Sequence, residues 1–182
     1  MAEATETVTP ASGEPAFMRA TELLCKWLAY VGGVVLVALV VMTVLSITGR
    51  ALIPFGLAPI PGDFELVEAG TAFATFCFMP WCQLRGGHIT VDLLSERFGP
   101  RRDRMLSLAG SLMMAAAALV IAWRLWFGMA DKLKYNETTF ILGLPMWWFF
   151  AISVPPAAVF VLASLASAWR HWRLLRARRA RA

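Results

Sequence analysis

The stretch W-L-A-Y-V-G-G-V-V-L-V-A-L-V-V-M-T-V-L-S-I, from Trp27 to Ile47, contains no charged residue. A helix needs roughly 20 apolar residues to cross the hydrocarbon core of a bilayer, which is about 30 Å thick. The stretch has that length and composition, so it predicts a transmembrane helix. The whole chain agrees, because 59% of its residues are hydrophobic and 16% are charged, whereas soluble domains average about 45–50% and about 25%. We therefore expect an all-α membrane protein.

Three further runs have the length of a membrane span: Phe64–Leu84, Met105–Trp123 and Met146–Trp169. The first is the least apolar, since it carries Glu65 and Glu68 near its start and Pro80 near its end. The last contains Pro155 and Pro156, which are expected to kink the helix without ending it, because neighbouring helices can satisfy the freed backbone carbonyls. The fold prediction is thus four transmembrane helices.

Lysines and arginines predict the orientation, because cytoplasmic segments retain more of them than translocated segments do. Most of the 17 basic residues lie beside one set of helix ends. This distribution predicts cytoplasmic termini and puts the loops 54–62 and 131–144 outside. We expect a disordered cytoplasmic tail at 1–18, a four-helix transmembrane domain at 19–172 and a basic cytoplasmic tail at 173–182. The net charge of +5 is then a topology signal, so the lipid bilayer is an expected partner and nucleic acid is not.

The stretch Q-L-R-G-G-H-I-T-V-D-L-L, from Gln83 to Leu94, interrupts the apolar pattern. Arg85 marks the cytoplasmic interface, and the two glycines after it can adopt the left-handed conformation that closes a helix. The apolar residues that follow fall on one helical side, which predicts a short amphipathic interfacial helix between helices 2 and 3. Asp92 lies one turn beyond His88, so Arg85, His88 and Asp92 can form a polar cluster at the lipid interface.

This cluster is weak evidence for chemistry. A lone interfacial histidine is more often a structural hydrogen-bonding group than a catalyst, and no second histidine or cysteine is placed to help His88. The only other histidine, His171, falls in the basic tail. No catalytic residue, metal ligand or cofactor site is assigned, and the chain is not expected to be an enzyme.

Glu65 and Glu68 are three residues apart, so they share one face of the second helix. Asp63, just before them, is predicted to be the N-cap, and the helix dipole favours carboxylates in the first turns. An ionised group at the bilayer centre costs roughly 2.5–3.5 kcal/mol, so Glu68 is expected to face protein or the water interface. Three interpretations stay open: a structural contact at the outer interface, a hydrogen-bond anchor to another subunit, or, less favoured, a proton-coupling carboxylate.

The outer end of the last helix pair reads L-G-L-P-M-W-W, from Leu142 to Trp148. Gly143 and Pro145 are expected to prepare the start of helix 4, and Trp147 belongs to an aromatic collar at the interface. Small residues that allow close helix contact are Gly32, Gly33, Gly110 and Ala115–Ala118. They serve either the packing of the four helices on one another or a contact with another membrane subunit.

Together these features resemble the small membrane subunit, also called the DctQ-like or Q subunit, of tripartite ATP-independent periplasmic (TRAP) transporters. The resemblance rests on R-G-G-H-I-T-V-D-L-L at Arg85–Leu94, which is similar to the family's basic residue, glycine and H-I-x-V-D. It also rests on the acidic start of helix 2 and on the stretch Leu142–Trp148. It covers roughly residues 20–172, and it does not decide whether Glu65 or Glu68 matches the family's glutamate.

The resemblance implies a complex of three parts. A periplasmic substrate-binding protein captures an organic acid, and a large polytopic membrane subunit carries it inward, driven by sodium. The small subunit lies beside the large one in the bacterial inner membrane and widens its scaffold. By this analogy Arg85, His88 and Asp92 fix the cytoplasmic corner, and the outer collar at 143–148 faces the partner.

Three other functions compete with this interpretation. The first is the small four-span subunit of the tripartite tricarboxylate transporters. The second is an autonomous small exporter, which would need an essential carboxylate at the centre of the membrane. The third is a membrane-bound enzyme or cytochrome.

Overall fold

Most of the chain folds into four long helices. The computed structural model describes residues 16–85 and 100–179. The helices are α1 (Ala16–Ala51), α2 (Asp63–Leu84), α3 (Pro100–Tyr135) and α4 (Trp147–Arg179), with a 3₁₀ turn at Ile53–Phe55 after α1. The described residues contain no β-strand, so the all-helical prediction is confirmed there.

Three of the helices are long and apolar enough to cross a membrane, over Phe17–Ala51, Leu108–Tyr135 and Trp147–Arg170. They include the predicted first, third and fourth spans. The second predicted span, α2, does not meet the same standard; it carries Asp63, Glu65 and Glu68 in its first two turns and Pro80 near its end. The chain is therefore a multi-pass membrane protein, and the crossing by α2 stays a prediction.

The helices run beyond the predicted spans. The prediction that residues 131–144 form a loop is wrong at its start, since α3 continues to Tyr135. Charged residues mark the edge of the hydrocarbon, but a helix can pass that edge, and Lys132 and Lys134 suit the negative end of its dipole. α3 begins at Pro100, since proline is tolerated at a first helical position.

The predicted amphipathic helix lies outside the described residues. These exclude 1–15, 86–99 and 180–182. His88, Asp92 and most of the predicted N-terminal tail are therefore untested.

α4 is the central helix of the bundle. It contacts α1, α2 and α3, whereas α3 contacts only α4 among the described elements. In its apolar span 44% of the residues are buried, against 17% for α3 and 6% for α1. Small buried residues allow the close approach: Ala157, Ala163, Ser164, Ala166, Ala168 and Ser167. The helix continues through Pro155 and Pro156, as predicted.

The contact between α1 and α2 depends on two glycines. A Cβ at Gly32 would lie 2.9 Å from the Cys77 Cβ, and one at Gly70 would lie 2.8 Å from a Leu39 methyl carbon. Gly33 meets nothing within 4 Å. Of the two explanations for the small residues, packing within the bundle therefore applies to Gly32. Gly33 faces open space and is not needed for that packing.

We expect Gly32→Ala to destabilise the bundle and Gly33→Ala to leave it unchanged. A methyl group at Gly32 would overlap with Cys77, and overpacking of this kind costs about 1–3 kcal/mol. Thermal unfolding in detergent, followed by tryptophan fluorescence, compares the two variants. A Tm for Gly32→Ala as high as that of Gly33→Ala would contradict this packing.

Candidate functional site at the loop end of the bundle

The segment between α3 and α4 forms a tight turn, here called the 136–146 hairpin. Thr138 and Pro145 form an isolated antiparallel bridge. The Thr139 N–H donates to the Leu144 carbonyl at 2.9 Å, and the Leu144 N–H donates back to Thr139 Oγ1 at 3.1 Å. Gly143 has a φ of +64°, a left-handed conformation that suits glycine. The hairpin is thus closed by its own backbone.

Glu65 fastens this hairpin to α2. Its two carboxylate oxygens accept the backbone N–H groups of Ile141 at 2.7 Å and Leu142 at 3.1 Å. Hydrogen bonds to a charged group contribute about 1.5–3 kcal/mol, more than the median exposed ion pair. The carboxylate therefore joins the tip of the hairpin to the first turn of α2.

The loop between α1 and α2 meets the same corner. Gly62 has a φ of +75°, and a Cβ there would overlap with the Leu142 side chain. Gly62, not Asp63, occupies the N-cap position of α2, so that prediction is wrong by one residue. Asp63 instead accepts the Ser46 hydroxyl at 2.5 Å and the Phe64 N–H at 2.8 Å. Its carboxylate links α2 to α1.

A groove of about 340 Å³ lies beneath the hairpin. α2 and α3 form its walls and α4 its floor; in the described structure α2 and α3 pack on α4 but not on each other. The lining is mostly apolar: Ala69, Ala72 and Phe76 from α2, Leu125 from α3, and Met146, Phe149, Phe150 and Ser153 from the hairpin side and α4. Glu65, Glu68 and the hairpin residues 138–140 complete it.

A model of the family described as "Tripartite ATP-independent periplasmic transporters, DctQ component" matches residues 39–174. The match takes in well over half of the 182 residues. The chain belongs to this family. No curated protein and no solved structure matches it.

Membership confirms the resemblance seen in the sequence and decides among the competing functions. A DctQ component is a membrane subunit of a TRAP transporter and not an enzyme. It acts in a tripartite system, which implies a second membrane component and a periplasmic binding protein as partners.

The predicted site residues of this DctQ component divide between two ends of the bundle. Glu65, Gly143, Pro145 and Trp147 meet at the loop end. The Pro145 carbonyl accepts the Trp148 N–H at 3.2 Å, and Trp147, the first residue of α4, packs edge-on against Trp148 with centroids 5.7 Å apart.

Arg85 lies at the opposite end. It follows the last residue of α2, and its guanidinium lies 4.6 Å from the centre of the Trp81 ring. His88 and Asp92, the other two members of the predicted cluster, lie outside the described residues.

Glu65 and Glu68 differ in their surroundings. Glu65 is half-buried and bonded to the hairpin. Glu68 is exposed, lines the groove, and has no hydrogen bond or ion pair with any residue that the structure describes. The family glutamate remains unassigned, but the structural role at the hairpin belongs to Glu65.

The hairpin was not predicted, because Gly143 and Pro145 were interpreted as the start of helix 4. The signal for it is T-T-F-I-L-G, from Thr138 to Gly143, which places β-branched residues before a turn glycine. Phe140, whose side chain is fully exposed at the hairpin tip, was not predicted either.

We expect Glu65→Gln to loosen the hairpin and Glu68→Gln to leave it intact. The amide oxygen of glutamine is a weaker hydrogen-bond acceptor than a carboxylate oxygen. The NH₂ group is a donor, so the second backbone N–H would face it without an acceptor. The exchange rates of the Ile141 and Leu142 amide hydrogens should rise about ten- to a hundredfold in Glu65→Gln, as the loss of about 1.5–3 kcal/mol requires. Hydrogen exchange by mass spectrometry measures them. Equal protection in the two variants would show that the hairpin does not need the carboxylate.

Proposed function

We propose that this DctQ component is the small integral-membrane subunit of a sodium-driven TRAP transporter for organic acids. In this role it is a scaffold for the large polytopic subunit, to which a periplasmic binding protein delivers the substrate. Family membership supports the assignment to a TRAP transporter, and the composition of the bundle's interior supports the scaffold role.

The interior carries the argument. The buried polar residues of the described bundle are serines, threonines and one glutamine, and none of its buried residues is charged. Transport paths for ions and organic acids need ionisable or polar groups near the middle of the membrane. Glu65 and Glu68 lie instead in the first two turns of α2, which argues against an autonomous exporter.

The outer faces support a scaffold as well. α1 and α3 bury little of their apolar surface within the chain, and this surface is available to lipid and to a larger neighbour. Glu68, with the collar formed by Gly143, Pro145 and Trp147, is then the partner-facing part of the loop end. Glu65 positions that part through the hairpin. Arg85, with His88 and Asp92, is the corresponding cytoplasmic corner.

The same proposal includes four crossings of the bacterial inner membrane, with 1–18 and 173–182 as cytoplasmic tails around the domain 19–172. α2 has 22 residues, a length of about 33 Å. α1 begins and α4 ends at the side of the bundle opposite the hairpin, which agrees with both termini in the cytoplasm.

Accessibility labelling tests this topology. Single cysteines at Gly87 and Ala182 should react only from the cytoplasmic side, and one at Leu57 only from the periplasmic side, in a chain whose own cysteines are replaced. Labelling of Gly87 and Ala182 from opposite sides would rule out four crossings.

Co-purification tests the scaffold role. An affinity-tagged chain, extracted from native membranes in mild detergent, should bring down a large polytopic membrane protein. Removal of this chain should abolish sodium-dependent uptake of an organic acid.

We expect His88→Ala and Asp92→Ala to lower recovery of the complex or uptake without preventing membrane insertion. Full uptake in both variants would count against a role for the cytoplasmic corner, and uptake that persists without the chain would contradict the scaffold role.

A further inference from the structure

Exposed basic side chains lie at the end of the bundle opposite the hairpin. This set, here called the basic end, comprises Arg19 and Lys26 of α1, Arg85 just after α2, and Arg170 and Arg173 of α4. No member has a hydrogen bond or an ion pair with a residue that the structure describes. Their charges are therefore unpaired within the described part of the chain.

The packing of α1 on α2 places two of these cations at one level. The two helices run antiparallel, and Gly32 of α1 packs against Cys77 of α2. Lys26 lies six residues before Gly32, and Gln83 lies six residues after Cys77, so these two positions face each other across the pair. Arg85 is then about 3 Å further along the axis of α2. Lys26 and Arg85 therefore lie at nearly the same depth.

α4 brings two arginines to this depth. It begins at Trp147, below the hairpin that is joined to the first turn of α2, and it packs along α2. α2 is 22 residues long, and an equal length of α4 ends at Ala168. Arg170 is therefore level with Arg85 to within about one turn, and Arg173 lies about one turn further out. The apolar span of α4 also ends at Arg170.

Tryptophans accompany the four cations of this layer. Each cation has one beside it in the chain or in space: Trp27 next to Lys26, Trp81 next to Arg85, Trp169 next to Arg170 and Trp172 next to Arg173. Trp27 is 64% exposed and Trp169 is 51% exposed, so both rings face outward. Indole rings favour the headgroup level of a bilayer. The tryptophans therefore place the four cations within reach of lipid phosphates.

The hairpin end has a different charge. Arg50 lies 3.9 Å from Asp63 there, and Lys132 is paired with Glu137, so these cations already have anionic partners. Further carboxylates at that end are Glu65, Glu68 and Asp131. The two ends of the bundle therefore attract different headgroups.

We propose that the basic end binds anionic phospholipids in preference to zwitterionic ones, with headgroup phosphates at Lys26, Arg85, Arg170 and Arg173. A lysine or arginine at an anionic membrane surface gains about fivefold in affinity. Three of these four groups are guanidiniums, which suit phosphate because their planar donors bind its oxygens in pairs. The helical backbone of α4 continues to Arg179 and carries three more arginines after Arg173, which extends the positive charge outward.

A lipid leaflet explains this layer better than an acidic protein segment does. The cations come from three parts of the bundle and share one depth, as the headgroups of a leaflet do. Among the side chains that the structure describes at this end, only Glu22 is acidic, and it forms no ion pair with Arg19 or Lys26. The interaction needs only this chain in a bilayer, so it does not rest on the proposed scaffold role.

Quenching of tryptophan fluorescence by brominated phospholipids tests the two ends separately. One protein keeps Trp169 and Trp172, another keeps Trp147 and Trp148 at the hairpin end, and phenylalanine replaces the other tryptophans. Beside Trp169 and Trp172 we expect phosphatidylglycerol to bind about fivefold more tightly than phosphatidylethanolamine. High salt should reduce this preference, because it screens exposed charges. Beside Trp147 and Trp148 phosphatidylglycerol should have no advantage.

Two double variants separate the position of the charges from their number. Arg170→Gln with Arg173→Gln should remove most of the preference for phosphatidylglycerol. Arg50→Gln with Lys134→Gln lowers the net charge equally at the hairpin end and should leave the preference unchanged. Native mass spectrometry of both variants, with all eight tryptophans retained, repeats the comparison, so the result does not depend on the phenylalanine replacements.

Three results would overturn the proposal. The first is equal binding of the two lipids beside Trp169 and Trp172. The second is an equal loss of preference in both double variants, because net charge and not the basic end would then be responsible. The third is an unchanged lipid preference in the variant of Arg170 and Arg173 together with the loss of a co-purifying protein, since the basic end would then bind an acidic protein partner.

Discussion

The two hydrogen bonds from the hairpin backbone to Glu65 hold the loop end of the bundle together. They join residues 76 and 77 positions apart in the chain, and thereby connect the α1–α2 pair to the α3–α4 pair. α2 and α3 make no direct helix contact in the described structure. The carboxylate, together with the contact of Gly62 with Leu142, therefore joins α2 to the hairpin above the groove that lies between α2 and α3.

This interaction also explains how so polar a helix start is tolerated. Asp63 accepts from Ser46 and Phe64, and Glu65 accepts from two backbone groups. Each carboxylate thus replaces water with protein donors, which lowers the cost of desolvating the first turn of α2. The aligned N–H groups of the first turn favour both charges further. The carboxylates in the first turn of α2 are therefore the groups that fasten it to its neighbours.

The sequence predicted where the long helices lie, but not which of their residues contact another part of the chain. Apolar length predicted α1, α3 and α4, because the bilayer imposes a length that composition reveals directly. It could not separate Gly32 from Gly33, since these adjacent residues differ only in whether a second helix lies opposite. It could not separate Glu65 from Glu68 for the same reason, as the partner of Glu65 is a backbone segment more than seventy residues away. Charge misplaced the end of α3, because charges report the edge of the hydrocarbon and a helix can continue past that edge.

The isolation of α3 affects the order in which the bundle assembles during synthesis. Among the helices the structure describes, α1 and α2 pack on each other, but α3 has no neighbour except α4, which leaves the ribosome last. The first pair can associate while the chain is still growing. The third helix has no packing partner among the described helices until the central helix has been synthesised. A nascent chain truncated before residue 147 would therefore contain one packed helical pair, α1 and α2, and one helix, α3, without a packing partner. In the complete bundle α4 packs on all three helices, so this difference in stability is not apparent.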